Sequence, residues 1–339
     1  MAAPMSFAAM ASEKKPEDTP LRIVQLDGHV ILKIVKHCKE GMPTLVTGQL
    51  LGLDVGQTLE VTDCFPFPSR NDEDDAIEGD GASYQLDMMR CLREVNVDNN
   101  TVGWYQSTVL GSFQTVELIE TFVNYAESIK RCICLVYDPQ KSATGSLALK
   151  AIKLRDTFLK VYKEGNLTTE KLREAAVAWK DVFEEIPIHV RNSPLATALM
   201  ASIEPDTVAD TKDFERLQLG VRPLLEKNLE FLNDCLDDIV AEQQKVSFYH
   251  RNVARQQQQI QQWLQKRRQE NATRRLAGEE ALPEEDPALF KPIPEPSPLD
   301  GFLINNQVEN YCHQLNHLSA QTLEKLHLLE GLQKARLIA

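Results

Sequence analysis

The sequence lacks several features that would assign it to a common class of protein. No apolar run approaches the roughly 20 residues that a helix needs to span a bilayer, so we expect no membrane segment. The 7 cysteines form no CxxC pair and no short-spaced even set, which predicts reduced thiols in an intracellular protein. Residues 1–20 lack the basic-then-apolar order of a signal peptide and predict a disordered tail. We therefore expect a cytoplasmic protein.

Basic residues and catalytic motifs are also scarce. Lys and Arg number 37 against 50 Asp and Glu, a net charge of −13, which argues against a general nucleic-acid binder. The sequence has no Gly-rich phosphate loop and no recognisable Ser-His-Asp set. His313 and His317 can share one helix face, but no glutamate follows the first and no third metal ligand is evident. We expect these two side chains to flank a helix without binding metal.

Short apolar strands alternate with helical stretches in the first half of the chain. This pattern predicts an α/β domain over residues 21–192, with its core at residues 21–154. Asp27 is placed to cap the first helix. Further along, the sequence predicts one helix over Thr168–Phe183 and one strand over Ile186–Val190.

The second half of the chain is almost entirely helical in pattern. We predict a helical region over 193–275, a Pro/Glu-rich linker over 276–300 and a terminal helix over 301–339. Both helical segments carry an apolar stripe, and its residues are the predicted partner-binding set: Leu225, Leu229, Leu232, Leu236, Val308, Tyr311, Leu315 and Leu318. The terminal helix must either fold back on the preceding helix or pack on another protein, and the sequence leaves both arrangements open.

Three sequence blocks carry a family resemblance. They are Gly41-Met42-Pro43 with Gly48-Gln49-Leu50-Leu51-Gly52, then Val102 to Thr108, then Tyr137-Asp138-Pro139 with the residues up to Lys150. Together they resemble the landmarks of the MPN (JAMM-like) family over roughly residues 21–154. The resemblance implies an α/β fold with a mixed sheet flanked by helices, followed here by a C-terminal helical region.

Catalytic members of this family bind zinc, and the resemblance identifies the positions that would do so. Active members have two histidines, an aspartate, an assisting serine and a glutamate general base, which leave a fourth zinc position for water. This sequence has an apolar residue or a neutral polar side chain at all five positions: Leu45, Gln106, Thr108, Val116 and Ile119. An amide and a hydroxyl are poor substitutes for imidazole as zinc ligands. We therefore predict no enzyme activity, no bound metal and no cofactor.

A narrower resemblance extends beyond the MPN region. Gly103 to Thr108, Cys64 to Pro68, Gln256 to Gln262 and Leu282 to Asp286 are similar to the non-catalytic MPN subunits of eukaryotic translation initiation factor three. The resemblance implies a structural subunit that pairs with a second MPN subunit, joins a helical bundle built by several subunits and supports recruitment of the small ribosomal subunit. Two alternatives stay open: a zinc-dependent isopeptidase with an altered site, and an inactive MPN subunit of the proteasome lid or signalosome.

The segment Arg251–Arg275 differs in charge from the rest of the chain. It contains seven basic residues, opposed only by Glu270. Such a segment can be a solvated helix face or a contact with RNA, where basic side chains meet phosphate without reading sequence. Trp263 lies within it, and an exposed Trp there favours a partner.

Overall fold

The computed structural model describes residues 20–68, 81–95, 100–143, 146–165, 167–203, 222–276 and 291–338. These residues form two compact units. The first contains the described residues of 20–159 and 181–203, and the second those of 160–180 and 222–338. The predicted tail and most of the predicted linker lie outside the described residues, and the predicted domain boundaries stay predictions.

The described helices and strands follow one another in an order that is mixed in the first half and helical in the second. The strands are β1 Ile23–Asp27, β2 Thr47–Val55, β3 Thr58–Pro66, β4 Thr101–Ser107, β5 Ile133–Tyr137, β6 Leu149–Leu154, β7 Phe183–Ile186 and β8 Ile188–Arg191. The α-helices are α1 Gly28–Glu40, α2 Gly81–Glu94, α3 Val116–Ser128, α4 Pro139–Ser142, α5 Asp156–Lys163, α6 Thr169–Glu174, α7 Pro194–Ile203, α8 Arg222–Leu276 and α9 Leu299–Ile338.

The strands of the first unit form one mixed sheet in the order β7-β6-β5-β4-β2-β3-β1-β8. The pairs β1–β3, β1–β8 and β4–β5 are parallel, and the other pairs are antiparallel. The edge strands β7 and β8 are joined by Pro187 alone. Because consecutive Cα atoms lie about 3.8 Å apart, the sheet must curl until its two edges are neighbours. The predicted mixed sheet flanked by helices, with a helical region after it, is thus confirmed.

Helix α1 packs its apolar side against the sheet. Val30 and Ile34 of α1 and Val24 and Leu26 of β1 are fully buried, in agreement with the helical and alternating spacings in the sequence. The predicted capping role of Asp27 is wrong, since its side chain makes no capping hydrogen bond. The Gly28 amide instead donates to Asn192 Oδ1 at 3.0 Å, so the cap comes from a residue 164 positions further along the chain.

The structure also corrects the predictions for residues 168–190. The predicted helix Thr168–Phe183 ends at Glu174, and Ala176 then has a φ of 50° that no helix can continue. A short 3₁₀ helix follows at Trp179–Asp181, and Phe183 already belongs to β7. The predicted single strand Ile186–Val190 is two strands, because Pro187 has no amide hydrogen to donate to a sheet.

The second unit is built around an antiparallel pair of long helices. Phe231 of α8 stacks on Tyr311 of α9 with ring centroids 6.0 Å apart, and Cys235 Sγ lies 3.5 Å from Gln307 Oε1. The residue number of the contact increases along α8 while it decreases along α9, so the two helices are antiparallel. The terminal helix therefore folds back on the preceding helix, one of the two arrangements that the sequence left open.

Residues 167–180 pack against the start of α9 within the second unit. Asn306 Nδ2 donates to the Trp179 carbonyl at 2.6 Å, and Lys180 Nζ lies 2.6 Å from Glu309 Oε1. Thr169 Oγ1 also donates to Glu295 Oε1. In the part of the chain that the structure describes, no helix combines the length and the apolar character needed to cross a bilayer.

Candidate functional site

The end of strand β4 carries two of the positions where catalytic MPN proteins bind zinc, Gln106 and Thr108. Gln106 lies in the sheet between Thr47 of β2 and Val136 of β5. Ser107 fixes the neighbouring loop, because its Oγ accepts the Val46 amide at 2.8 Å and its own amide donates to the Val46 carbonyl at 2.9 Å. Leu45 is therefore held next to the end of β4, but its side chain is 65% exposed to solvent.

Gln106 is linked to an aromatic cluster. Trp104 Nε1 donates to Gln106 Oε1 at 3.5 Å, a long hydrogen bond. The Trp104 ring is buried and lies 4.5 Å from the ring of Phe122 and 5.0 Å from that of Tyr125, both on α3. Gln106, which occupies the position of the first histidine, therefore lies next to the aromatic contacts between β4 and α3.

Thr108 is buried beside a second polar residue. Its amide donates to the Tyr137 carbonyl at 2.9 Å, while its Oγ1 is buried without a hydrogen-bond partner among the described residues. Asp138 follows Tyr137, and its Oδ1 accepts the amides of Gln140 and Lys141 at 3.0 Å each. Burial raises the pKa of the Asp138 carboxyl, and those two amides oppose the shift. The Oδ1 of this carboxylate thus caps α4.

The remaining two positions lie on α3. Val116 is the first residue of that helix and is half-buried, and Thr115 Oγ1 caps it by accepting the Leu118 amide at 3.3 Å. Ile119 is completely buried, between Leu118 and the turn that carries Phe122. Where the family's zinc aspartate would stand, this chain has an apolar core residue.

The side chains at these five positions do not fit a zinc ion. Structural and catalytic zinc sites use thiolate, imidazole or carboxylate ligands, usually three or four of them. The edge offers instead an amide oxygen, one hydroxyl and three aliphatic side chains. Over the described residues, no group of three or more His, Cys, Asp and Glu side chains is placed to hold a metal ion. We derive no metal chemistry for this site.

Two residues that shape this edge have roles that the sequence alone did not predict. The sequence indicates only a turn at Asp138, although an Asp-Pro pair after a buried strand is a recognisable helix start. It places His37 at the end of the first helix, but the His37 Nδ1 lies 2.9 Å from the Tyr105 hydroxyl of β4. Burial lowers the pKa of His37, with Glu40 opposing. No local pattern in the sequence predicts that pairing across 68 positions.

Comparison with known proteins covers nearly the whole chain. Residues 19–131 match the model of the JAB1/Mov34/MPN/PAD-1 ubiquitin protease family, and residues 142–337 match the model of the C-terminal region of eIF3h. The H subunit of eukaryotic translation initiation factor 3 from Arabidopsis thaliana is 60% identical over 329 residues, covering 96% of this chain and 97% of that protein. The H-B form from Danio rerio is 42% identical over 332 residues, covering 96% and 99%.

This chain belongs to the eIF3h family, the H subunits of eukaryotic translation initiation factor 3. Membership of the eIF3h family confirms both resemblances drawn from the sequence, the broad one to MPN proteins and the narrow one to an initiation factor subunit. Of the two family models, the eIF3h model is the more specific for this family, since it covers the helical half of the chain, from β6 to α9.

The predicted partner-binding residues of this eIF3h-family chain divide into two groups. Tyr311 and Leu318 are buried, Tyr311 against Phe231 of α8, so these two side chains offer no free surface. Leu229 and Leu236 remain exposed on α8, as does Val240 one turn further on. The other predicted residues are half-buried: Leu225, Leu232, Val308 and Leu315. We name the row Leu229, Leu236 and Val240 the apolar row of α8.

Helix α7 is a second apolar surface, and the sequence pattern alone did not single it out. Its ten residues, Pro194–Ile203, contain no charged side chain. Leu195 is 81% exposed and Leu199 60% exposed, and Ser193 caps the helix through the Ala196 amide at 3.1 Å. The sequence signal that could have identified this helix is its run of uncharged residues close to the end of a strand. An exposed helix of this composition is typical of a surface that another protein covers.

Proposed function

We propose that this protein is a non-catalytic structural subunit of the eukaryotic translation initiation factor 3 complex. The observation that carries the proposal is its similarity to relatives named as H subunits of that factor, which extends over 96% of the chain and so includes the helices as well as the sheet domain. In this proposal the protein acts in the cytoplasm and supports recruitment of the small ribosomal subunit through the assembled complex.

Two exposed apolar surfaces support contacts with other subunits. The apolar row of α8 has the spacing of a helix that packs against other helices, and α9 leaves it uncovered. We assign it to a helical bundle built by several subunits. In the first unit, Leu195 and Leu199 of α7 offer an apolar helix for pairing with a second MPN subunit.

The non-catalytic assignment rests on the chemistry of the degenerate site. Leu45 and Ile119 have no donor atom, and Gln106 and Thr108 offer only neutral oxygens. Purified protein is therefore expected to contain no stoichiometric zinc and to leave ubiquitin conjugates intact. Stoichiometric zinc by elemental analysis, together with chelator-sensitive cleavage, would instead favour the altered isopeptidase.

A co-purification experiment tests complex membership and the apolar row together. We would express a tagged chain and its triple variant Leu229→Gln/Leu236→Gln/Val240→Gln in cells, and identify bound proteins by mass spectrometry. Because the three side chains are already exposed, the variant is expected to keep its own fold and lose most of the other initiation factor subunits. The matched control changes three exposed residues on another side of the same helix: Glu226→Gln, Glu230→Gln and Asp237→Asn.

The outcomes separate the remaining alternatives. Recovery of proteasome lid or signalosome subunits in place of initiation factor subunits would contradict the proposal. Normal assembly of the triple variant would contradict the role of the apolar row alone. Deleting residues 302–339 removes most of α9 and exposes Phe231, so we expect this truncated chain to leave the complex as well.

A further inference from the structure

The distal half of α8 has a charge composition unlike the rest of the protein. Residues 243–269 contain no Asp or Glu, although the whole chain has 50 of them and a net charge of −13. The same stretch includes several arginines and a run of glutamines, Gln256 to Gln259. A local positive region of this length on an acidic chain indicates a distinct interaction surface.

One side of this half-helix is covered within the chain. Gln256 Nε2 donates to the Lys291 carbonyl at 2.7 Å, and Asn271 is buried. The Arg267 guanidinium lies 4.9 Å from the Trp263 ring centroid and 3.3 Å from Glu270 Oε2. Trp263, which the sequence suggested as a partner contact, is thus half-buried on the covered side, and Arg267 is held against it.

The opposite side is exposed and carries a regular row of side chains. Steps of three and four residues place them on one face of the helix: Phe248, Arg251, Arg255, Gln259, Gln262, Lys266 and Gln269. We name this row the basic face. Phe248 is 61% exposed, and the other six side chains also lie open to solvent. The row runs from Phe248 to Gln269, a length of about 31 Å at about 1.5 Å per residue step.

The same line of α8 changes sign towards the start of the helix. Glu226, Glu230 and Asp237 continue the row in that direction, and all three are exposed. A polyanion would be repelled by these carboxylates and attracted by Arg251 and Arg255. The basic face therefore has a defined end, close to Phe248.

We propose that the basic face binds single-stranded RNA. Arg251, Arg255 and Lys266 would contact phosphates, and Phe248 would stack against one base, the combination by which single-stranded nucleic acids are held without sequence readout. Glutamine amides between them can bond to phosphate and sugar oxygens. The proposal names the RNA-contacting residues of the proposed subunit and rests on that function for the choice of RNA over DNA.

The composition of the face favours RNA over a protein helix or a duplex. A partner helix needs an apolar seam, and Phe248 is the one apolar side chain in the row. The apolar row of α8 ends at Val240, before the basic face begins at Phe248, so the two surfaces occupy successive lengths of the helix. In a duplex the bases are already stacked, so an exposed phenylalanine would gain nothing from it.

Fluorescence anisotropy of a labelled twelve-nucleotide oligouridylate, titrated with the purified full chain, tests the proposal. Three phosphate contacts on a single strand predict a slope of about −2 for log affinity against log salt, which weakens binding about 18-fold between 50 and 200 mM salt. The variant Arg251→Gln/Arg255→Gln/Lys266→Gln is expected to bring that slope close to zero. The matched control, Lys36→Gln/Arg90→Gln/Lys334→Gln, changes the net charge equally at exposed sites elsewhere and should keep the wild-type slope.

Phe248 provides a second, independent readout. Phe248→Ala should weaken binding about fivefold or more, whereas Phe248→Tyr keeps an aromatic ring and should bind like the wild type. Equal loss in the triple variant and its control, equal affinity for a twelve-base-pair RNA duplex, or no binding at all would overturn the proposal. Loss of a co-purified protein in the triple variant, without any RNA binding, would assign the face to a protein.

Complex membership is measured separately, so the two proposals can fail independently. A basic-face variant that still co-purifies with initiation factor subunits but has lost its RNA crosslinks in the complex supports the inference. A wild-type chain that co-purifies with those subunits and yields no crosslink at α8 contradicts the RNA contact alone. A chain that binds the oligonucleotide but recovers no initiation factor subunit contradicts the proposed function alone.

Discussion

Replacing Ile119 with aspartate restores the family's third zinc ligand and tests whether the degenerate site has become part of the core. Ile119 is 0% exposed, and it lies on α3 beside Leu118 and Phe122. Loss of a buried isoleucine side chain costs about 2–5 kcal/mol of unfolding free energy. The new carboxyl group adds an electrostatic cost, because burial disfavours its charged form.

The electrostatic cost depends on pH in a predictable direction. Burial raises the folded-state pKa of the new aspartate above its unfolded value of about 3.9, so the folded protein must hold a proton that the unfolded chain releases. The cost is small below pH 4 and grows by about 1.4 kcal/mol per pH unit above it. At pH 7 it reaches about 4 kcal/mol, a large fraction of the roughly 5–15 kcal/mol that stabilises a typical domain.

Urea unfolding followed by tryptophan fluorescence measures these effects, because Trp104 contacts α3 through Phe122. Ile119→Asn removes the same apolar contacts without a titratable group, so the difference between the two variants isolates the charge. We expect that difference to be near zero at pH 4.5 and several kcal/mol at pH 7. Glu117→Asp, an exposed carboxylate change in the same helix, should shift stability by no more than about 0.5 kcal/mol.

A small, pH-independent loss in Ile119→Asp would refute the reasoning. It would mean that α3 can turn this position towards solvent. The lack of suitable ligands would then be the sole reason that zinc does not fit at the end of β4. Combining Ile119→Asp with Gln106→His and Thr108→His adds a further check. If added zinc restored the lost stability of this triple variant, the end of β4 would still have the geometry of the family's metal site.

Three further predictions concern the sheet, the pH response and the helix pair. Gly103→Ala should destabilise the first unit by about 3 kcal/mol or more in denaturant unfolding, because Gly103 has a φ of 155° and a Cβ there would overlap the Ile133 carbonyl oxygen. The pKa of His37 is lower in the folded protein than its ordinary value of about 6.5. Neutral His37 therefore contributes stability that is fully present above about pH 6.5 and is lost as the pH falls through the folded-state pKa. His37→Gln should therefore flatten stability between pH 7 and 5. Tyr311→Ala should cost about 3–5 kcal/mol in the second unit, whereas Leu326→Ala, at an exposed position, should stay within about 0.5 kcal/mol.

The parts of the fold that local spacing determines could be predicted from the sequence. The apolar run at Cys132–Tyr137 and the helical spacing of Val30 and Ile34 each correspond to an observed element and its buried residues. Long-range contacts decided the rest. Asn192 replaces Asp27 as a cap only because β8 pairs with β1, and nothing near Asp27 in the sequence encodes that pairing.

The helix predicted over Thr168–Phe183 shows the same limit within a shorter segment. Its residues have acceptable helix propensity, yet Phe183 pairs with Leu154 in the sheet, and Trp179 bonds to Asn306 of α9. Two partners far apart in the sequence thus divide one segment between two compact units. Propensity over a window of this length cannot predict such a division.

The sequence says more about the chemistry of the candidate site than about the surfaces of the long helices. The expectation that zinc does not bind rests on the residue types at Leu45, Gln106 and Ile119, because donor chemistry can be inferred without coordinates, and it stays a prediction. Apolar spacing on α8 and α9 predicted that the helices need partners, but not which side each partner takes. The antiparallel contacts at Tyr311 and Cys235 show which side of each helix the chain covers itself.

Helix α8 presents three chemically different sides, and this arrangement bears on how the proposed contacts combine. One side, at Phe231 and Cys235, is covered by α9, a second carries the exposed Leu229 and Leu236, and a third carries the basic face. Another protein docked on Leu229 and Leu236 would leave Arg251 and Arg255 open, since those arginines lie further along the helix. Protein assembly and the proposed RNA contact therefore need not compete.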